Sequence, residues 1–247
     1  MAPPASPYEN PCLARLTGST LRPGGLALTE AALAGLALAP GAALLDIGCG
    51  PGETLALFAR SGHRAHGLDP SRAFVRQAAA HGRVFQARAE NLPLDPAVMD
   101  AVFCECVLSL SLDKKAALAE MRRVLSPGGF LVLADLYSQE AAFGDKDALP
   151  GKPGAAQGGN TPPCSCLDGA ISLEDLEDLL KSSGFAVLRR EDHSAALRHL
   201  AACIVFAHGS LAEFQRLLHG PDYRRNSAAP CTHPRRAGYV LFISQAI

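Results

Sequence analysis

A mostly parallel β-sheet covered by helices on both faces is the fold this sequence predicts, and three observations predict it. Short apolar runs recur between Ala42 and Ala134, most of them joined by amphipathic stretches. A glycine-dense turn separates the first run from the helix after it. Apolar residues make up 48% of the 247 residues, enough to bury such a sheet.

The elements follow in order. The first two dozen residues are rich in Pro, Gly and Ser and read as an irregular arm. A short Ala/Leu helix opens near Thr29 and stops before Pro40. Residues 1–39 thus read as an arm and helix that form a lid, and 40–247 as the main domain. Ala42 to Asp46 is a buried strand. Glu53 to Arg60 is a helix with Leu55, Phe58 and Ala59 on one face. Arg64 to Leu68 is a second strand, and Ser71 caps a helix that runs to about His81. Val84 to Ala87 and Met99 to Cys104 are the third and fourth strands. Lys114 to Leu125 carries Ala117, Leu118, Met121 and Leu125 at helical spacing. Ser126-Pro-Gly-Gly129 ends that helix, and Phe130 to Ala134 is the fifth strand. Phe143 to Pro163 has almost no apolar periodicity and reads as a long loop or lid inside an insertion spanning 138–170. Ser172 caps a helix to Ser183, with Asp175 three residues on. Phe185 to Arg190 is a strand. An extra helical segment, 195–219, breaks at His208-Gly209-Ser210, and Tyr239 to Ile243 is the seventh and last strand.

Composition narrows the function. The chain has 23 basic and 24 acidic side chains and a net charge of -1, so nothing points to nucleic acid or to a membrane surface. The N-terminus has no basic stretch followed by an apolar one, and the apolar stretch from Leu26 to Leu45 is broken by Thr29, Glu30 and Pro40. A cytoplasmic protein is expected. Its eight cysteines would then stay reduced and serve as small core residues, metal ligands or reactive thiols.

The chemistry centres on Asp46-Ile-Gly48-Cys49-Gly50-Pro-Gly52, where a buried strand passes into a helix. Glycines there let the backbone turn sharply and approach a ligand, and the helix start offers free N–H groups. The next strand ends in Asp69-Pro70, about 20 residues on, the distance at which a second-strand carboxylate meets ribose hydroxyls. The glycines run GxGxG rather than GxGxxG, which disfavours a nicotinamide oxidoreductase.

Asp46-Ile-Gly-Cys-Gly-Pro-Gly52, Gly67-Leu-Asp-Pro70, Ala89-Glu-Asn-Leu-Pro93, Asp100-Ala-Val-Phe103 and Arg123-Val-Leu-Ser-Pro-Gly-Gly129 resemble the successive motifs of class I S-adenosylmethionine-dependent methyltransferases. The resemblance covers about residues 40 to 137. It implies a Rossmann-like α/β fold with a seven-stranded, mostly parallel sheet whose last strand is antiparallel. It implies S-adenosyl-L-methionine as cofactor. The turn of Asp46, Gly48, Cys49, Gly50 and Gly52 would hold the methionine part, Asp69 and Pro70 would lie at the ribose, and Ala89 and Glu90 beside the adenine. Arg88 stands where the family usually has Asp, so Glu90 and backbone groups would carry more of the adenine contact. The expected partner is a small-molecule methyl acceptor, and the chain a monomer or homodimer.

Cys104-Glu105-Cys106 ends the fourth strand at the edge where the methyl group would lie. Cys104 is placed beside the cofactor, and Glu105, Cys106 and Cys166 at the reaction. Cys106-Val-Leu-Ser-Leu-Ser-Leu-Asp-Lys114 and Cys166-Leu-Asp-Gly-Ala170 resemble the two thiol-bearing segments of arsenite methyltransferases. Carried over, Cys106 and Cys166 would hold trivalent arsenic, a soft centre suited to thiolates. The chain departs from that family at Ser109, where Asn is usual, and in its short arm, where only Cys12 is available. Packing stands as the other reading of these thiols: Cys-x-Cys on a strand puts both side chains on one face. A non-catalytic thiol-rich metal- or metalloid-binding protein is the competing class, and a zinc site from Cys164, Cys166 and His233 or Cys231 the weakest variant of it.

Overall fold

The computed structural model describes residues 7–10, 13–15, 20, 22–139, 165–219 and 237–247. Among them, eight strands form one sheet: β1 (Ala43–Ile47), β2 (Arg64–Asp69), β3 (Arg83–Gln86), β4 (Met99–Glu105), β5 (Leu125–Ser138), β6 (Ile171–Ser172), β7 (Phe185–Asp192) and β8 (Ala237–Ala246). The spatial order is β3-β2-β1-β4-β5-β8-β7, with the two-residue β6 beside the end of β5. The seven expected strands are present and β6 is added to them. β1 runs parallel to β2 and β4. β8, the last in sequence, is antiparallel to both β5 and β7 and lies between them. β1 is therefore the point where strand order reverses, and the crevice beyond the ends of β1 and β4 is where such sheets bind ligands.

Among the described residues the α-helices with defined bounds are α1 (Gly25–Gly35), α2 (Glu53–Arg60), α3 (Arg72–Ala78), α4 (Lys114–Val124), α5 (Leu173–Ser182), α6 (Ser194–His208) and α7 (Leu211–His219). Alternation along the strands splits the core into two layers. Leu45, Val102, Cys104 and Leu133 face α4 and α5, packing with Leu118, Met121, Leu176 and Leu180. Leu44, Phe103, Val132 and Leu241 face the other side, with Leu28 and Leu33 of α1 and Leu55 and Phe58 of α2. Phe58 and Phe103 lie with ring centroids 4.9 Å apart. Each such side chain contributes about 1.5–3 kcal/mol when withdrawn from water. α1, expected in a lid, is thus bonded into the core.

Local signals set several boundaries. Ser71 accepts from Phe74 N at 3.2 Å and Ser172 from Asp175 N at 3.0 Å, the expected caps. Gly209, at φ +78°, separates α6 from α7 as expected. Other expectations need correction. α1 opens at Gly25, four residues before Thr29, and β5 runs well beyond Phe130 to Ala134 because β8 pairs with it over nine residue positions. Ala59 is exposed; Leu57 takes the buried place beside Leu55 and Phe58. The long loop Phe143 to Pro163 lies outside the described residues. Among the described residues no helix is long and apolar enough to cross a membrane.

Candidate functional site

The turn after β1 is tied to β2 at three points. Gly48 N and Cys49 N both donate to Leu68 O, at 2.8 and 3.0 Å. Gly50 N donates to Asp69 Oδ2 at 3.0 Å, and Ser71 N to Asp69 Oδ1 at 2.8 Å. Gly48 has φ +71°, and a Cβ there would meet Val107 Cγ2 at 2.4 Å. Gly50 has φ +52° with nothing within 4 Å of the same position, so the turn opens onto free space at that residue. Asp69 is buried, and burial pushes its carboxyl up while the Ser71 and Gly50 amides pull it back. Each oxygen accepts one amide and keeps lone-pair capacity for a hydroxyl pair.

The remaining expected contacts divide. Cys49 points away from the opening and packs against Gly67, where a Cβ would stand 2.9 Å from its sulfur. Pro70 is exposed at the rim. Ala89 is buried in the core layer of α4. Glu90 uses Oε1 to accept from Leu112 N at 2.8 Å, tying the loop after β3 to the loop after β4. Cys104 is 0% exposed and packs in the core layer of α4 and α5, in register with Ile47 and Leu133.

A charged cluster lies at the ends of β1 and β4. Arg22 Nη2 stands 2.9 Å from Glu105 Oε2 and donates to Thr54 Oγ1 at 3.2 Å and to Thr29 Oγ1. Thr29 Oγ1 lies 2.9 and 3.0 Å from the two Glu105 oxygens. Asp46 sits in the field of Arg22 with the Thr54 hydroxyl bonded to it, and burial drives its carboxyl up to about 8. Burial also raises Glu105, against Arg22 and Thr29. Glu105 is thus engaged with the Arg22 arm at the end of β4. Sequence reasoning missed the grouping of Arg22, Thr29 and Thr54, which carry no signal beyond residue type.

The thiols were expected on one strand face, and the structure separates them. β4 stops at Glu105, and Cys106 takes φ +58°, a left-handed conformation rare for a residue with a side chain. That twist sends Cys106 to the core layer opposite Cys104. There Cys106 meets Cys166, sixty positions on: the Cys166 thiol donates to Cys106 O at 3.3 Å. The contact with Cys166 and burial both push the Cys106 thiol well up. Two unforeseen hydroxyls complete the group, Tyr8 OH 3.2 Å from Cys166 Sγ and Tyr239 OH 3.7 Å from Cys106 Sγ. Tyr239 is held by its own backbone, whose N accepts no slack: it donates to Ser194 Oγ at 3.1 Å. Ser109 gives both its N–H and its hydroxyl to buried Asp135, at 2.8 and 2.7 Å, which anchors the turn after Cys106. The Tyr137 ring lies over Gly238, where an added Cβ would meet Tyr137 Cζ at 2.1 Å. Cys12, Cys164, Cys231 and His233 lie outside the described residues.

Residues 45–133 match the family described as a methyltransferase domain. The chain is 33% identical over 165 residues to the O-methyltransferase cnsE of Penicillium expansum, covering 62% of this chain and 55% of that one. It is 30% identical over 162 residues to an arsenite methyltransferase of Halobacterium salinarum, covering 60% of this chain and 38% of that one. The chain thus spans about half or less of the length of these curated relatives. Among solved structures, the 4+2 cyclase SpnF superposes with a TM-score of 0.70 at 21% identity, covering 97% of this chain and 93% of that chain. Other neighbours of the same fold were solved with S-adenosylhomocysteine bound.

Proposed function

We propose that the chain is a class I S-adenosylmethionine-dependent enzyme that transfers a methyl group from S-adenosyl-L-methionine to a small-molecule acceptor; the methyltransferase-domain match over residues 45–133 and the shared fold of the structural neighbours support this reading. One observation carries the proposal: Asp69 clips the Gly50 amide at 3.0 Å beside free space, at the strand-order reversal. The residues present fit the cofactor. Gly50 leaves room for close approach, Asp69 offers a carboxylate to the ribose hydroxyls, and Asp46 with the Arg22–Glu105 pair offers both signs of charge to an amino-acid tail. The bound cofactor supplies an electrophilic methyl group on a sulfonium, and position and desolvation are what the protein adds. The relatives named for O-methylation and the small-molecule ligands of neighbouring structures support a small acceptor. The reading carries with it a cytoplasmic monomer or homodimer, with the arm that bears Arg22 beside the site.

Calorimetry tests it. S-Adenosylmethionine should bind, and Asp69→Ala should weaken binding roughly 10- to 100-fold, the worth of charge-assisted hydrogen bonds. Product S-adenosylhomocysteine should appear in turnover. Binding of a metal or metalloid without the cofactor would favour a thiol-rich carrier, and the SpnF neighbour adds cyclisation without methyl release as an outcome to look for.

A second reading rests on the meeting of Cys106 and Cys166. Two thiols from segments sixty residues apart, flanked by Tyr8 and Tyr239 hydroxyls, suit an acceptor with a soft, thiophilic atom such as trivalent arsenic. In a screen of cofactor consumption that includes arsenite and selenium species, Cys106→Ser and Cys166→Ser should each abolish turnover of such an acceptor. Full activity of both variants on every acceptor removes this reading and leaves the general one standing.

A further inference from the structure

Beside the two sheet layers, the described residues hold a third apolar cluster. Leu13, Ile204 and Phe214 are buried in it, with Tyr8, Leu200 and Leu211 packed around them. It is built by the arm, the second half of α6 and α7, and none of these six side chains comes from a strand. The arm enters it by a single helical turn, Pro7–Glu9. Asn10 Nδ2 donates to Leu217 O of α7 at 3.3 Å, and Leu13 N donates to Asn10 O at 3.0 Å. The His208 and Phe214 rings lie 5.2 Å apart, centroid to centroid, and pack the end of α6 on α7. The first half of α6 is fastened to the sheet instead. Leu197 packs in the layer of α1 and α2, and Tyr239 N of β8 donates to Ser194 Oγ at 3.1 Å. Further along the arm, Arg22 is fastened to the sheet through Glu105 of β4.

Tyr8 joins this cluster to the thiols. Among the described residues it alone packs against both the third cluster and the layer that holds Cys106 and Cys166. Its hydroxyl lies 3.2 Å from Cys166 Sγ, and each of the two thiol residues is 9% exposed. The gain from burial scales with the apolar area withdrawn from water, so a cluster with three buried side chains is held far more weakly than either sheet layer. Elements held by few buried contacts open at lower cost than the core, and they open as units. The outer side of α6 is itself uncovered, with Phe206 96% exposed. We propose that Tyr8, Asn10 and Leu13 of the arm, α7, and α6 from Leu200 onward form one hinged cover over the Cys106–Cys166 pair. It opens as a unit between its two anchors, Ser194–Tyr239 and Arg22–Glu105, while the sheet and the glycine turn stay folded. Acceptors that react beside Cys106 enter by this route, and Tyr8 is the side chain they displace. That use of the route rests on the methyl-transfer reading; the cover itself does not.

Two measurements on the full chain test the cover. In hydrogen exchange without ligand, the amides of Leu13, of α7 and of α6 from Leu200 onward should share one level of protection, at least about tenfold below that of β4 and β5. In alkylation by iodoacetamide, read by peptide mass spectrometry, Phe214→Ala should speed labelling of Cys106 and Cys166 about 100-fold, because an aromatic-to-alanine change in a packed cluster raises the open population by at least that factor. Leu13→Ala should act in the same direction on both thiols. Cys104, 0% exposed in the opposite layer, is the internal control and should keep its rate. Protection of α7 equal to that of β4 and β5 overturns the proposal, whether or not either variant folds. Unchanged rates at Cys106 and Cys166 in both variants overturn it too, as does a rise at Cys104 in step with them, which would make the cluster part of the global fold. S-Adenosylhomocysteine binding is measured in parallel by calorimetry. Its loss in Phe214→Ala alone overturns the claim that the glycine turn stays folded, whereas its absence in the unaltered chain overturns the cofactor reading and leaves the cover standing.

Discussion

Replacing Gly50 with Ala separates the stability of the turn from its use. The residue has φ +52°, so an alanine must adopt a left-handed conformation at a cost of about 1–2 kcal/mol. No atom lies within 4 Å of the added Cβ, so no clash adds to that cost. The loss of unfolded-chain entropy on Gly→Ala returns about 0.4–1 kcal/mol. The net destabilisation is then about 0.5–1.5 kcal/mol, a melting temperature lower by roughly 1–6 °C in a chain of this size. Gly48→Ala is the contrast: at φ +71° its Cβ meets Val107 Cγ2 at 2.4 Å, and overpacking of this kind adds about 1–3 kcal/mol. Binding should order the two differently from wild type. The Gly50 Cβ would fill the room beside the amide that Asp69 holds, and S-adenosylhomocysteine affinity should fall at least about tenfold, or 1.4 kcal/mol. Thermal melting and calorimetry on the same preparation check both numbers. A variant that melts as expected and binds like wild type would show that the free space at Gly50 is not the cofactor's, and the reading of the turn would fail.

Phe103→Ala removes a fully buried ring tilted against Phe58 with centroids 4.9 Å apart, and should cost about 3–5 kcal/mol in denaturant unfolding. Ser172→Ala deletes the cap that accepts from Asp175 N, and should cost about 1 kcal/mol in the same assay with α5 otherwise intact. Asp46 makes stability depend on pH. Its folded carboxyl lies far above the ordinary carboxylate range, so its neutral form favours the fold. That contribution is fully present below the ordinary range and is lost as pH rises through about 8. Melting temperature without ligand should therefore decline across that window, and Asp46→Asn should flatten the decline; an unchanged slope in the variant would assign the dependence to another group.

Much of the architecture was legible in the chain itself. The short apolar runs of β1, β2 and β4, the bounds of α2 at Glu53 and Arg60, the Ser71 and Ser172 caps and the break at Gly209 all depend on residues within a few positions of one another. Asp69 was legible for the same reason, since strand, turn, helix and strand keep a nearly constant length. The faces of the cysteines were not. Alternation put Cys104 and Cys106 together, and a single left-handed residue at the strand end sent them to opposite layers. Ala59 fails similarly, because helical spacing names a face without saying how far the neighbouring strand covers it.

The sequence by itself determined the order of elements, the glycine turn and the carboxylate across from it, because each rests on short-range sterics and on backbone hydrogen bonds that neighbouring residues must satisfy. Only the tertiary structure decided that β8 enters between β5 and β7, that Cys106 meets Cys166 beside Tyr8 and Tyr239, and that Arg22 pairs with Glu105. These are contacts between distant segments, and their energies follow from burial. Exclusion of water pushes the Asp46 and Glu105 carboxyls above the ordinary range, which no local pattern in the chain announces.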